Sequence, residues 1–398
     1  MPASSVDLRP LIRPEAAGAP PSGIVGVSNY GRGRPGLIPL WVGEGDMPTP
    51  AFITEAATRS LAAGETFYTW QRGIPELREA ISRYMTTVYR QNLPPDRFHV
   101  TIGGMHALQI ATRLAAGDGD EVLVPNPAWP NFTGAIKVAG GRPVDVPMAL
   151  EGNGAEERWV LDVEQIEKAI TPRTKSIVIN SPSNPSGWTA SLADLEGVLA
   201  LSRKYGLWII ADEIYGRFML DGADRAPSFH DIMAEDDKIL FVQTFSKNWA
   251  MTGWRIGWLE CHPSLGDTVE NLIQYSSSGV ATFVQRAGIA ALDHGESFVQ
   301  HQIARAKAGR DIVCNGLAAT GRVFFARPSG AFYLYFGVEG ENDSMALAKR
   351  LVDEANVGLA PGSAFGPHGE AFLRLCFARK AEDLEEATAR LARVIAKG

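Results

Sequence analysis

Cysteine is scarce in this 398-residue chain: only Cys261, Cys314 and Cys376 occur, far apart and without a C-x-x-C pair. That spacing argues against a disulfide framework or a cysteine zinc cage, and no metal site is expected. Long apolar runs are missing as well. No stretch approaches the roughly 18 residues of a membrane helix, and the opening MPASSVDLRPLIRPEAAG holds no apolar signal core. A soluble protein of a reducing compartment, the cytoplasm, is the expectation. An excess of basic residues is also lacking. The 38 Lys and Arg stand against 45 Asp and Glu, a formal charge of -7. No basic stripe interleaved with aromatics is offered to nucleic acid. Neither an internal repeat nor a low-complexity segment stands out.

What is present reads as a globular protein. A chain of 398 residues exceeds the size at which one hydrophobic core stops growing, so a large domain and a smaller one are expected. Residues 1–36 are rich in Pro, Gly and Arg yet apolar at Ile24–Val27, which suggests an arm docked on the body. From about residue 100, short apolar runs alternate with helical stretches: EVLVP, KSIVIN, LWIIADE, ILFVQTF and RIGWLE. Such uninterrupted runs, separated by helices such as 191–204, indicate a mostly parallel sheet covered on both faces. Further on, a helical stretch without turn signals spans about 281–320. The runs FFARPSGAFYLYF and AFLRLCFA and a charged last helix then fit a smaller α+β domain.

Ligands of open α/β sheets bind beyond the carboxyl ends of the strands. The residues that end these runs are Asn180–Asn184, Asp212–Tyr215 and Thr244–Lys247. Lys247 ends an apolar run, a setting that lowers an ammonium pKa and frees an amine nucleophile. Around it, Thr244, Ser246 and Arg255 form a phosphate-binding set. Asp212 ends the most apolar strand, where an unpaired carboxylate is expensive to bury. Upstream, TIGGMHALQIATRLAAG reads as strand, glycine turn and helix, whose first N–H groups face an anion. Arg374 lies among apolar residues in LRLCFA, where it needs an anionic partner; its planar fork would grip a carboxylate with two bonds.

The segment SKNWAMTGWRIG, with the chain from GEGDMPTP at 43–50 to FLRLCFA at 372–378, resembles the class I/II aminotransferases of fold type I. This resemblance implies an α/β fold with a mostly parallel central sheet in a large domain and a smaller α+β domain. The boundaries expected are an arm and part of the small domain at 1–45, a cofactor-binding domain at 46–285 and a small domain at 286–398. It implies pyridoxal 5′-phosphate held covalently by Lys247. Asp212 would face the protonated pyridine nitrogen, while Tyr215 and Asn184 would bond the phenolic oxygen. Gly104 and Met105 would donate backbone N–H groups to the phosphate, helped by Thr244, Ser246 and Arg255. Met105 and His106 depart from the polar residues commoner there, so only backbone donation is carried over. Trp129, in NPAWPN, would stack on the ring. Tyr68 would reach the partner's phosphate across a homodimer interface with shared active sites. Gly43, Asn184 and Arg374 would receive the substrate.

The implied reaction moves an amino group from an amino acid to a 2-oxo acid in two half-reactions, with Lys247 as the general acid and base. Two alternatives remain open. One is a carbon–sulfur β-lyase with the same cofactor, to which LWVGEGDMPTP has a faint likeness. The other is a non-catalytic aminotransferase-like binding domain. Substrate choice is undetermined. Arg32, Arg34 and Arg72 are candidate second cations for a dicarboxylate, whereas Trp70, Trp129 and the apolar arm would suit aromatic or aliphatic side chains.

Overall fold

The structure, a computed structural model, describes residues 7–154 and 157–397. Seven strands form its central sheet in the spatial order Phe98–Thr101, Gly257–Glu260, Ile239–Thr244, Trp208–Asp212, Thr174–Asn180, Glu121–Asn126 and Arg142–Pro147. Gly257–Glu260 runs antiparallel to both neighbours, and every other pair is parallel. All five expected runs are strands of this sheet. Of the two further strands, Arg142–Pro147 was not singled out, and Phe98–Thr101 was marked only by its last residue, Thr101. Arg142–Pro147 lies at the sheet edge, where its prolines and alternating polar residues are tolerated because one side needs no ladder. Phe98–Thr101 is four residues long and buried throughout, too short for a periodic signal.

Parallel pairing brings the strand ends together. Asn180 stands opposite Asp212 in the register, and Asp212 opposite Val242. The helix Leu192–Tyr205 shows why a covering helix starts where it does: Ser191 Oγ accepts from Asp194 N at 3.1 Å, and Asp194 Oδ2 accepts from Ser191 N at 2.8 Å. Its apolar side then packs Leu195, Val198 and Leu199 into the core on one sheet face.

A second body carries an antiparallel sheet in the order Val323–Phe324, Tyr333–Val338, Phe372–Cys376 and Ala360–Pro361. The helices Ser344–Glu354 and Ala381–Ile395 pack their apolar sides into its core. Val27, Leu40 and Trp41 from the amino-terminal segment belong to that same core. The helix Gly23–Gly31 carries Val27 there, with its start capped by Ser22 Oγ. The expected stretch at 281–320 is two helices, Thr282–His294 and Glu296–Ala318. They break at Gly295, where the Trp249 indole stands so close that a Cβ would lie 2.4 Å from its Nε1.

Among the described residues no helix is long and apolar enough to cross a membrane, and no cluster of His, Cys, Asp and Glu could hold a metal. All three cysteines are buried and free.

The two bodies meet through the loop after Asn180. Gly187 has φ +66°, and its carbonyl accepts from Ser329 N and Gly330 N at 3.1 Å each. A Cβ there would lie 2.6 Å from that of Pro328. Gly187→Ala is therefore expected to lose about 1–3 kcal/mol of stability, from strain and overpacking together. A thermal unfolding midpoint unchanged within a degree would contradict this account of the seam.

Candidate active site

At the carboxyl edge of the large sheet, facing the second body, lies a cavity of about 400 Å³. Its lining includes Lys247, Asp212, Tyr215, Asn184, Arg374 and Gly43 from the expected set. Gly104, Met105, Trp129, Thr244, Ser246 and Arg255 line it too. Tyr68 does not. Its side chain is 97% exposed on the surface of its own chain, beside Phe67 at 83%.

Lys247 lies three residues beyond the strand Ile239–Thr244, and its Nζ donates to the carbonyl of Gly43 at 2.7 Å. Burial lowers its pKa to about 8, with Arg374 and Arg255 acting in the same direction against Cys376 and Glu44. Asp212 ends its strand with 2% exposure. Burial raises its carboxyl to about 7, while the N–H of Ile214, 3.3 Å from Oδ1, and the charge of Lys247 partly oppose the rise. Glu213, the next residue, shows the contrast. It faces the other way and is met by the hydroxyls of Ser228 at 2.7 Å and Tyr89 at 3.1 Å. Among the described residues Asp212 has no ion-pair partner within salt-bridge distance.

The loop after Thr174–Asn180 is held by Asn180, whose Oδ1 accepts from Asn184 N at 2.8 Å and whose Nδ2 donates to the carbonyl of Asp212 at 3.1 Å. Asn184 Oδ1 then accepts from Arg374 Nη1 at 3.0 Å, which leaves its amide N–H groups to face the cavity. Arg374 is 2% exposed; Nη2 donates to the carbonyl of Trp41, Nε has no partner, and no described carboxylate pairs with it.

The opposite end of the cavity is the start of the helix Gly103–Ala115, which has no side-chain cap from Ile102. Its first N–H groups lack intrahelical acceptors. Thr244, Ser246 and Arg255 converge beside them: Thr244 Oγ1 donates to Ser246 Oγ at 2.9 Å, and Arg255 Nη1 to the carbonyl of Thr252 at 2.7 Å. His106 is occupied elsewhere, accepting from Ile102 N at 3.2 Å and bonding Ser276 Oγ at 2.8 Å. Met105 Sδ accepts from Asn131 Nδ2 at 3.3 Å, so neither side chain brings a charge.

Several lining residues had no individual role from sequence. Tyr333 is the central one. Its Oη is 2.6 Å from that of Tyr215, and its ring lies 4.7 Å beneath the Arg374 guanidinium. In FFARPSGAFYLYF it reads only as one more core aromatic; the signal would have been its place on the strand beside Arg374. Asn180 sat at a marked strand end without a role. Ile24 and Val25 reach the cavity from the arm. Two of the three proposed second cations are engaged elsewhere: Arg34 pairs with Asp353 at 2.6 Å, and Arg72 with Asp267 at 2.5 Å and Glu270 at 2.7 Å. Arg32 is exposed and, like both of these, absent from the lining.

The site is thus a desolvated amine, a desolvated acid and a guanidinium with a free N–H, around a cavity whose far end suits an anion. Residues 35–391 match the sequence model of the family described as aminotransferase class I and II. A probable aspartate aminotransferase of Methanocaldococcus jannaschii is 35% identical over 88% of this chain and 91% of its own. Aromatic-amino-acid aminotransferase 2 of Thermococcus litoralis is 31% identical over 94% and 96%. The crystal structure of an aspartate aminotransferase from Thermotoga maritima superposes with a TM-score of 0.87 at 32% identity, over 96% of this chain and 99% of that one.

One contact is sharp enough to test. A Cβ on Gly43 would lie 2.4 Å from Tyr333 Oη but 3.3 Å from Cζ. Gly43→Ala should lose about 1–3 kcal/mol, and Tyr333→Phe about 1 kcal/mol through its hydroxyl bond. Combined, the two changes should lose less than their sum by at least about 0.5 kcal/mol, because the phenylalanine vacates the space that the new methyl needs. Strictly additive losses in urea unfolding would refute the contact.

Proposed function

The chain belongs to the aminotransferase class I and II family and is an aminotransferase; from that premise we propose that pyridoxal 5′-phosphate occupies this cavity and that the residues around it divide the work. This sets the lyase and the non-catalytic alternatives aside. The observation that carries the proposal is Asp212, a buried carboxylate without a cationic partner at the sheet edge. A protonated pyridine nitrogen is the partner it lacks. The other groups fit as well. The uncapped helix start with Thr244, Ser246 and Arg255 suits a phosphate, Trp129 offers an aromatic face, and Lys247 offers an amine whose pKa is about 8.

When bound, this cofactor supplies an aldehyde that condenses with amines and a protonated ring that takes up the electron pair of a broken Cα–H bond. Arg374 would hold the substrate α-carboxylate, with the Asn184 amide beside it. Lys247 Nζ, released from the cofactor, would take the proton from Cα and act as the general acid and base. Tyr215 Oη, already bonded to Tyr333 Oη, would donate to the cofactor's phenolic oxygen. Asp212, neutral at low pH without the ring, ionises against it and keeps the ring protonated.

A homodimer belongs to the same reading, with Tyr68 directed to the partner's cofactor phosphate. Its support is the exposure of Phe67, Tyr68, Trp70 and Tyr275 on one chain. So does a division into an arm with part of the small domain at 1–45, a cofactor domain at 46–285 and a small domain at 286–398. The core shared by Val27, Leu40 and Trp41 with Leu351 and Leu391 supports that division. A cytoplasmic location is part of it too, supported by three free thiols.

Borohydride reduction of the loaded protein should fix the cofactor's mass to the peptide that contains Lys247. Lys247→Ala should lose that label and at least about 10²–10⁴-fold in transamination rate. Label on another lysine would sink the assignment. In the cofactor-free protein, uptake requires the neutral amine. Its rate should rise with pH and reach half its maximum near 8, the value to which burial brings Lys247. A profile centred near the ordinary lysine value would contradict the desolvated amine.

A further inference from the structure

We propose that the amino donor of this enzyme carries an apolar side chain, and that Ile24, Val25, Trp41 and Val42 select it. This rests on the reading in which Arg374 receives the α-carboxylate. The cationic side chains lining the cavity are Lys247, Arg255 and Arg374. Each has other work. Lys247 is the amine, Arg255 stands at the anion end and bonds Thr252, and Arg374 serves the first carboxylate. No cation in the lining from this chain is left for a second.

Outside the lining, Arg32 is exposed at the end of the arm helix, and Arg34, Arg72 and Arg286 are held by ion pairs that they would have to break to turn inward. Arg34 is committed to Asp353, Arg72 bridges Asp267 and Glu270, and Arg286 is fixed by Glu65 at 2.9 Å and Glu76 at 3.0 Å. The lining from the arm side is instead hydrocarbon. The helix Gly23–Gly31 presents Ile24 and Val25 to the cavity, while Val27 anchors that helix in the core below. Val25 is 54% exposed, so it stands at the mouth, where a substrate side chain would meet both it and solvent. Trp41 and Val42 continue the apolar surface from the other side of the arm. Met105 adds a thioether already bonded to Asn131.

A side-chain carboxylate placed against this surface would give up hydration without a countercharge. Leucine, methionine or phenylalanine would bury hydrocarbon there instead, at about 25 cal/mol per Å² removed from water. The substrate class inferred is therefore not the one in the name of the Methanocaldococcus relative. Donors of the two kinds should differ in kcat/KM by at least about 10²-fold, the discrimination typical of a pocket that leaves a polar group unpaired.

Two measurements decide it. The first is equilibrium binding to the loaded protein of carboxylates that lack an amino group. Here 3-phenylpropanoate and 4-methylpentanoate should bind at least about tenfold more tightly than succinate. Tighter binding of succinate would overturn the proposal whether or not the enzyme turns over. The second is the donor half-reaction with leucine, phenylalanine, aspartate and glutamate, followed as 2-oxo acid released per cofactor. Release from the apolar donors alone supports the inference, and equal or faster release from aspartate or glutamate overturns it. Release from none, with the binding order as expected, overturns the transamination reading and leaves the pocket preference standing. Val25→Arg, at a half-exposed site that tolerates the change, should then shift the ratio of succinate to 3-phenylpropanoate binding by at least about tenfold toward succinate. An unmoved ratio would remove the arm helix from the specificity wall.

Discussion

A guanidinium with 2% exposure, on a central strand of the small sheet, has to be satisfied from three directions. Arg374 takes the carbonyl of Trp41 from the arm and the amide oxygen of Asn184 from the large body, and it lies over Tyr333 on its own sheet. Leaving such a charge buried without compensation would cost about 3–5 kcal/mol. Its bonds account for two nitrogens and leave Nε without a partner. The two bodies and the arm are thus joined at a point that is itself incomplete, and the cavity opens there.

The same arrangement recurs at the two other charged groups. Lys247 and Asp212 are both pushed toward their neutral forms by burial. This is no general property of buried acids here. Glu260 is fully buried, but His230 and Arg97 outweigh its burial and hold its carboxyl below the usual value. Glu213 is surrounded by hydroxyls and a backbone N–H, which oppose the rise of its carboxyl by burial without cancelling it. Away from the cavity Glu260 has charged partners, whereas Lys247 and Asp212, which line it, have no ion-pair partner among the described residues. Such selective deprivation is what a ligand with its own charges completes.

Much of the site was legible because its parts are local. Lys247, Asp212 and Asn184 follow apolar strands within a few residues, and strand ends in parallel register must lie side by side. Each could be marked without knowing the strand order. Tyr333 is brought in by packing between segments remote in sequence, which no local period reveals, while the apolar arm was marked as docking without showing that Ile24 and Val25 are the residues that reach the cavity. Arg34 and Arg72 failed as second cations for the same reason, since their acidic partners lie across the fold. The helix break at Gly295 depends on Trp249, some 46 residues away in the chain. The role foreseen for Tyr68 needs a second chain and so lies beyond what one chain's sequence or fold presents.

Trp41 carries a consequence for access. Its indole is held between two glycines so closely that a Cβ on Gly31 would lie 2.6 Å from it and one on Gly358 2.0 Å, while its carbonyl serves Arg374. The helix that brings Ile24 and Val25 to the mouth ends at Gly31, against that indole. Lifting the arm would therefore widen the entrance and deprive the guanidinium of an acceptor in a single displacement. Entry and grip form one mechanical coordinate, so a looser arm would trade retention of the substrate for speed of exchange.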